Sequence, residues 1–233
     1  MPTVLITGAN RGLGLEFTRQ YAADGWRVLA CCRSSKDAPE LTAIPGNVTI
    51  HDLDVGDFAA IERLAKELTG TPIDVLLNNA GYFGPKPKAD NNPAQVFGHL
   101  DYDVWQQVIR INTFAPMKMA EAFVDHVAAS AQKKIVTISS TEGSIAKTQG
   151  GIYAYKTSKA AVNMAMRNLS FDVKPRGIVT ASFCPGWVKT RMGGATAPLE
   201  PVESIAGVRR VIDGLTLETT GQFWLYNGET VQW

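Results

Sequence analysis

Seven short apolar runs, separated mostly by longer helical patterns, constrain this chain more than any other feature. "TVLITG" (3–8), "RVLACC" (27–32), "VTIHDL" (48–53), "IDVLLNN" (73–79), "KIVTISS" (134–140), "IVTASFC" (178–184) and "QFWLYN" (222–227) read as strands. Their apolar residues fall largely at consecutive positions, the mark of strands buried on both faces. Helical patterns lie near 12–24, 57–69, 102–129, 152–174 and 201–215. Such alternation predicts an α/β fold, a seven-stranded doubly wound parallel sheet with helices on both faces and right-handed crossovers. No linker or charge block divides residues 1–233, so one Rossmann-type domain is expected, and 45% apolar residues can fill its core. Ligands of such sheets bind beyond the carboxyl ends of the strands, which directs attention to the residues after each run.

A net charge of +1 gives no electrostatic footprint for nucleic acid or an anionic membrane. No apolar stretch approaches the ~20 residues of a membrane span. "MPTVLITGAN" enters a strand pattern directly, without a signal-like segment. Cys31, Cys32 and Cys184 are too few and too badly spaced for a disulfide framework or a zinc site. They read as reduced thiols in strands, so no metal and a cytoplasmic home are expected.

The first strand runs into "TGANRGLG", which places Gly8, Gly12 and Gly14 at the turn into a helix. The pattern is Gly-x-x-x-Gly-x-Gly. Glycines allow a tight turn and close backbone approach to a pyrophosphate, whose charge the first amides of the helix can meet. Gly8, Asn10, Arg11, Gly12, Leu13 and Gly14 are therefore candidate cofactor contacts. A glycine-rich turn occurs in many α/β proteins, but this one sits between strand and amphipathic helix.

"GGIYAYKTSKAAVN" (150–163) holds Tyr155 and Lys159 at i and i+4, neighbours on one helix face. A nearby ammonium would lower the phenol pKa from about 10 towards neutrality. Spacing alone does not separate a catalytic pair from two residues facing water. Tyr82 and Lys86 have the same spacing, but Gly84 and Pro85 forbid a shared helix there.

"TGANRGLG", "NNAG" (78–81), Asn112 in "IRINTFAP", "ISS" (138–140), Tyr155-x-x-x-Lys159 and "PGWVKT" (185–190) stand in the order and spacing of the short-chain dehydrogenase/reductase family. The chain resembles that family over nearly its whole length. "GGIYAYKTSKAA" and "PGWVKTRMGG" are similar, more narrowly, to its C-factor and sniffer-like carbonyl reductase branch.

The resemblance implies that Tyr155 protonates a carbonyl oxygen while Lys159 lowers the phenol pKa and bonds the nicotinamide ribose. It also implies that Ser140 holds the substrate oxygen and that Asn112 anchors a water linking Lys159 to solvent. Ser139 and Ser144 compete for the serine role, since the interval from Ser140 to Tyr155 is longer than in many members. Asp54 would bond the adenine amino group, with Val55 supplying an amide; Asp52 is the alternative acid. Asn79, Ala80 and Gly81 would line the adenosine ribose side. Pro185 and Gly186 would begin a nicotinamide clamp in which the Val188 backbone and the Thr190 hydroxyl meet the carboxamide or a phosphate. Arg191 stands where the branch usually has an acid, and no role is carried onto it.

The second strand ends "CCRS", with no acid until Asp37. Arg33 there and Arg11 in the glycine loop suit a 2′-phosphate, which favours NADPH over NADH. Segments 82–101 and 190–203 are the expected substrate loops, with Phe83, Tyr153, Trp187 and Met192 as candidate pocket walls. The short second loop points to an open site for modest carbonyl compounds. Pairing through helices 102–129 and 152–174 would give a homodimer or homotetramer, with Val162, Met166 and Phe171 serving that interface or the core. Trp233 is expected to pack back or meet another subunit. The leading expectation is an NADPH-dependent carbonyl reductase. Two alternatives stay open: an alcohol dehydrogenase working oxidatively, and a signalling protein that binds NADP(H) with little turnover.

Overall fold

Every residue of β1 (Thr3–Thr7), β4 (Val75–Asn78), β5 (Lys134–Ile138) and β6 (Val179–Cys184) is buried, which is how consecutive apolar positions are satisfied. The computed structural model describes residues 1–233. With β2 (Arg27–Cys32), β3 (Val48–Asp52) and β7 (Gln222–Leu225), these strands form one parallel sheet in the order β3-β2-β1-β4-β5-β6-β7. The chain reverses its winding between β1 and β4. Loops leaving these two neighbours diverge, and this divergence opens the ligand crevice of a doubly wound sheet.

Two cores flank the sheet. Phe17 and Tyr21 of α1 (Gly12–Ala23) join Val208 and Ile212 of α7 (Pro201–Asp213) on one face. Opposite them lie Ile61 of α3 (Phe58–Glu67), Phe123 of α5 (Ala115–Ala128), and Val162 and Met166 of α6 (Tyr153–Val173). A short α2 (Pro39–Thr42) follows β2, and α4 (Tyr102–Ile109) lies against α6. Val162 and Met166 thus belong to the core, while Phe171 is exposed and Trp233 stacks on Phe223. All three cysteines are free and buried, and no helix is long and apolar enough to cross a membrane.

The sequence pattern over 102–129 predicts one continuous helix, and the structure corrects this. Between α4 and α5 the chain makes a π-helical turn, Arg110–Phe114, where the Ala115 amide bonds the Arg110 carbonyl five residues back. Pro116 supplies the reason. It has no N–H to offer the Asn112 carbonyl, so the ordinary ladder fails there and a wider turn takes its place.

Candidate active site

At the exit of β1 the glycine loop is shaped by contacts that leave no room for side chains. A Cβ on Gly14 would stand 2.1 Å from the Gly8 carbonyl oxygen, and one on Gly8 would stand 2.9 Å from Ala80 Cα. Gly8 also takes a φ of +67°, which favours glycine. The loop from β4 locks against this turn. Thr7 Oγ1 accepts from the Asn79 and Ala80 amides, both at 3.0 Å, and Asn79 Nδ2 donates to the Thr7 and Gly8 carbonyls at 2.9 and 3.2 Å. The Asn79 amide group thus ties the β4 loop to the glycine turn. Arg11, the residue before α1, provides no side-chain cap, so the first amides of the helix keep their donors for an anion.

Arg11 and Arg33 are exposed, and neither forms an ion pair. Asp52 accepts the Ser35 amide at 2.7 Å and so fixes the turn after β2. Asp54 lies just past the end of β3, exposed, and its carboxylate accepts from the Gly56 amide at 2.8 Å. Val55 is buried beside it. After β6, Gly186 at φ +85° turns the chain, and the Val188–Leu199 bridge closes the loop on itself. Thr190 reaches across to the glycine loop: a Cβ on Gly12 would meet Thr190 Cγ2 at 3.5 Å. Pro185 anchors the near end by accepting the Ser204 hydroxyl at 2.6 Å.

The second cluster lies at the ends of β5 and β4. Ser140 follows β5; its hydroxyl accepts from the Glu142 amide at 3.1 Å and lies near enough to the Tyr155 phenol to oppose the rise in its pKa, while Ser139 is buried against the Lys159 carbonyl. Ser144 is also turned away, donating to the Gln232 carbonyl at 2.6 Å. Gly143 lets this segment approach α6, since a Cβ there would stand 2.6 Å from the Lys159 carbonyl carbon. Lys159 is buried, with Nζ donating to the Ile138 carbonyl at 2.8 Å and lying 5.7 Å from the centre of the Tyr155 ring.

Burial, more than the pairing, sets the charges. It holds the phenol well above its ordinary pKa, against the opposing effect of the Ser140 hydroxyl, and pulls the Lys159 ammonium down to about 8. On balance the phenol is raised and not lowered towards neutrality, so it is a protonated acid at neutral pH.

Asn112, on the π-turn, pins the chain after "NNAG". Its Oδ1 accepts from the Tyr82 amide at 2.8 Å, and its Nδ2 donates to the Tyr82 carbonyl at 2.8 Å and the Ser158 hydroxyl at 2.9 Å. Gly81 lies between Asn112 and Lys159. With these bonds made, the Asn112 side chain acts as a brace, and the implied water would have to meet its backbone.

One residue of the site was missed in the sequence. Gln95 is fully buried; its Nε2 donates to the Phe83 and Pro85 carbonyls at 2.8 Å each, and its Oε1 accepts from the Tyr155 amide at 2.9 Å. It ties segment 82–101 to the first turn of α6 and holds Phe83 against Tyr155, with ring centres 4.4 Å apart. A single Gln in a polar loop carries no periodic or spacing signal. Of the other candidate pocket walls, Tyr153 is half-buried, while Trp187 and Met192 are exposed.

Residues 2–200 match the model of the short chain dehydrogenase family, and the chain belongs to that family of oxidoreductases. It is 40% identical to the C-signal of Myxococcus xanthus over 163 residues, 70% of this chain and 93% of that one. Carbonyl reductase Sniffer of D. melanogaster superposes with a TM-score of 0.89 at 31% identity, with all of both chains covered. An NADPH-bound carbonyl reductase from chicken fatty liver gives 0.87 at 31% identity, covering 100% of this chain and 99% of that one.

Proposed function

We propose that this protein uses NADPH to reduce an aldehyde or ketone to an alcohol. The observation that carries the reading is the convergence of the Ser140 hydroxyl, the protonated Tyr155 phenol and the buried Lys159 ammonium beyond the carboxyl end of β5. When bound, NADPH supplies the hydride. Ser140 and Tyr155 place two hydroxyl donors where negative charge would develop on a carbonyl oxygen, and the phenol gives that oxygen its proton. Lys159 places a buried positive charge on the same helix face, and that charge favours the phenolate left when the proton is given up.

The cofactor part of the reading rests on the uncapped start of α1, the cradle of Gly8 and Gly14, and two arginines without carboxylate partners. The NADPH in the chicken structure supports it. Asp54, Val55, Ala80, Gly81, Gly186, Val188 and Thr190 would complete the cleft, and segments 82–101 and 190–203 would shape the substrate side. Exposed Tyr102, Phe114 and Phe171 support pairing of two copies through α4 to α6. Buried free thiols suit a reducing, cytoplasmic setting.

The name of the Myxococcus relative favours a second reading, a signalling protein that holds the dinucleotide with little turnover. NADPH and NADH consumption against aldehydes, diketones and quinones, with Tyr155→Phe as the blank, separates the two. Turnover lost in the blank supports the reductase. Tight NADPH binding without turnover across the panel supports the signalling protein.

A further inference from the structure

Arg191 is the cation of the clamp loop with no function in the reading above. Its neighbour Thr190 crosses to Gly12, so Arg191 and Arg11 flank the point where the two loops meet. The Arg191 backbone is held from the opposite side: Lys86 Nζ donates to the carbonyls of Arg191 at 3.2 Å and Met192 at 2.7 Å. The Gly194 amide closes the turn on the Thr190 carbonyl at 2.8 Å.

Arg11 and Arg191 thus stand on two loops that meet, Arg33 follows the end of the neighbouring β2, and none of the three ion-pairs with an Asp or Glu. They act on one another. After burial, the charges of Arg191 and then Arg33 are the forces that lower the Arg11 pKa. Like charges gathered without a counter-charge repel, and an anion bound among them relieves the repulsion.

We propose that Arg191 is a third guanidinium of the dinucleotide site, meeting the cofactor's phosphate oxygens from the clamp-loop side, opposite Arg11 and Arg33. The proposal rests on the NADPH reading. It assigns a ligand contact to Arg191, and it makes Lys86 the residue that orients this arginine through its backbone.

The test is calorimetric titration of the full chain with NADPH, NADH and 2′,5′-ADP, comparing wild type, Arg191→Gln, Arg191→Lys and Arg33→Ala. Arg191→Gln should weaken NADPH binding about tenfold, the effect of losing one charge-assisted bond, with Arg191→Lys in between. An equal loss for NADPH and NADH locates the contact at the pyrophosphate. A loss for NADPH and 2′,5′-ADP alone locates it at the 2′-phosphate. NADPH binding that Arg33→Ala weakens but Arg191→Gln leaves within about twofold overturns the assignment while sparing the cofactor reading. Wild type that binds neither NADPH nor 2′,5′-ADP overturns both.

Discussion

The two ends of the crevice are built on opposite principles. At the β1 end, backbone crowding fixes the glycine loop and leaves amides and guanidiniums without protein partners. At the β5 end, Gln95, Asn112 and Lys159 are buried and their polar groups are bonded to neighbouring backbone. One end is electrostatically unfinished until an anion arrives. The other is already arranged, so that little reorganisation is left for the chemical step. Binding and chemistry should therefore fail separately when each end is damaged.

The largest separation is expected from Tyr155→Phe. It removes the proton source while keeping the ring against Phe83, and kcat should fall by about 10²–10⁴-fold in a steady-state assay. At the other end, Gly14→Ala drives a Cβ into the Gly8 carbonyl. A cost of about 1–3 kcal/mol is expected, seen as a lower urea midpoint, together with loss of NADPH binding.

Gln95→Ala leaves the Phe83 and Pro85 carbonyls and the Tyr155 amide without their partner. Stability should fall by about 1–3 kcal/mol, and kcat should fall with little change in the Kd for NADPH. A Gln95→Ala enzyme that lost cofactor binding first would break the separation.

A milder test uses pH. Lys159, with its pKa held down to about 8, is cationic below that value and neutral above it, while the phenol stays protonated throughout. Reductive kcat/KM should be flat below pH 8 and decline as pH rises through it. The same group shapes stability with the sign of a depressed lysine. The unfolded chain binds its proton up to the ordinary lysine range, so the penalty of a buried ammonium is full below about pH 8 and is relieved above it. Lys159→Met should therefore be at least as stable as wild type at pH 7 by thermal melting, though inactive.

Much of this division was readable in the chain. Consecutive apolar positions gave the five inner strands their double burial, while the edge strands β3 and β7 stay largely half-buried, and the glycine spacing after β1 named a turn that only glycines could make. Tyr155 and Lys159 gained meaning from motifs elsewhere, because their spacing alone also fits Tyr82 and Lys86. The π-turn had one visible signal, Pro116 inside an otherwise helical pattern. Gln95 had none: its partners lie up to 60 residues away and are brought to it by the fold. The direction of the phenol shift was misjudged for a related reason. Spacing shows which charge is near, but only the packed structure shows how completely water is removed.

The separation itself is tested most directly by titrating Tyr155→Phe with NADPH. A Kd within about twofold of wild type, alongside absent turnover, is the expected result. A large loss of NADPH affinity in that variant would show that cofactor binding and proton delivery are not independent, and would contradict the account.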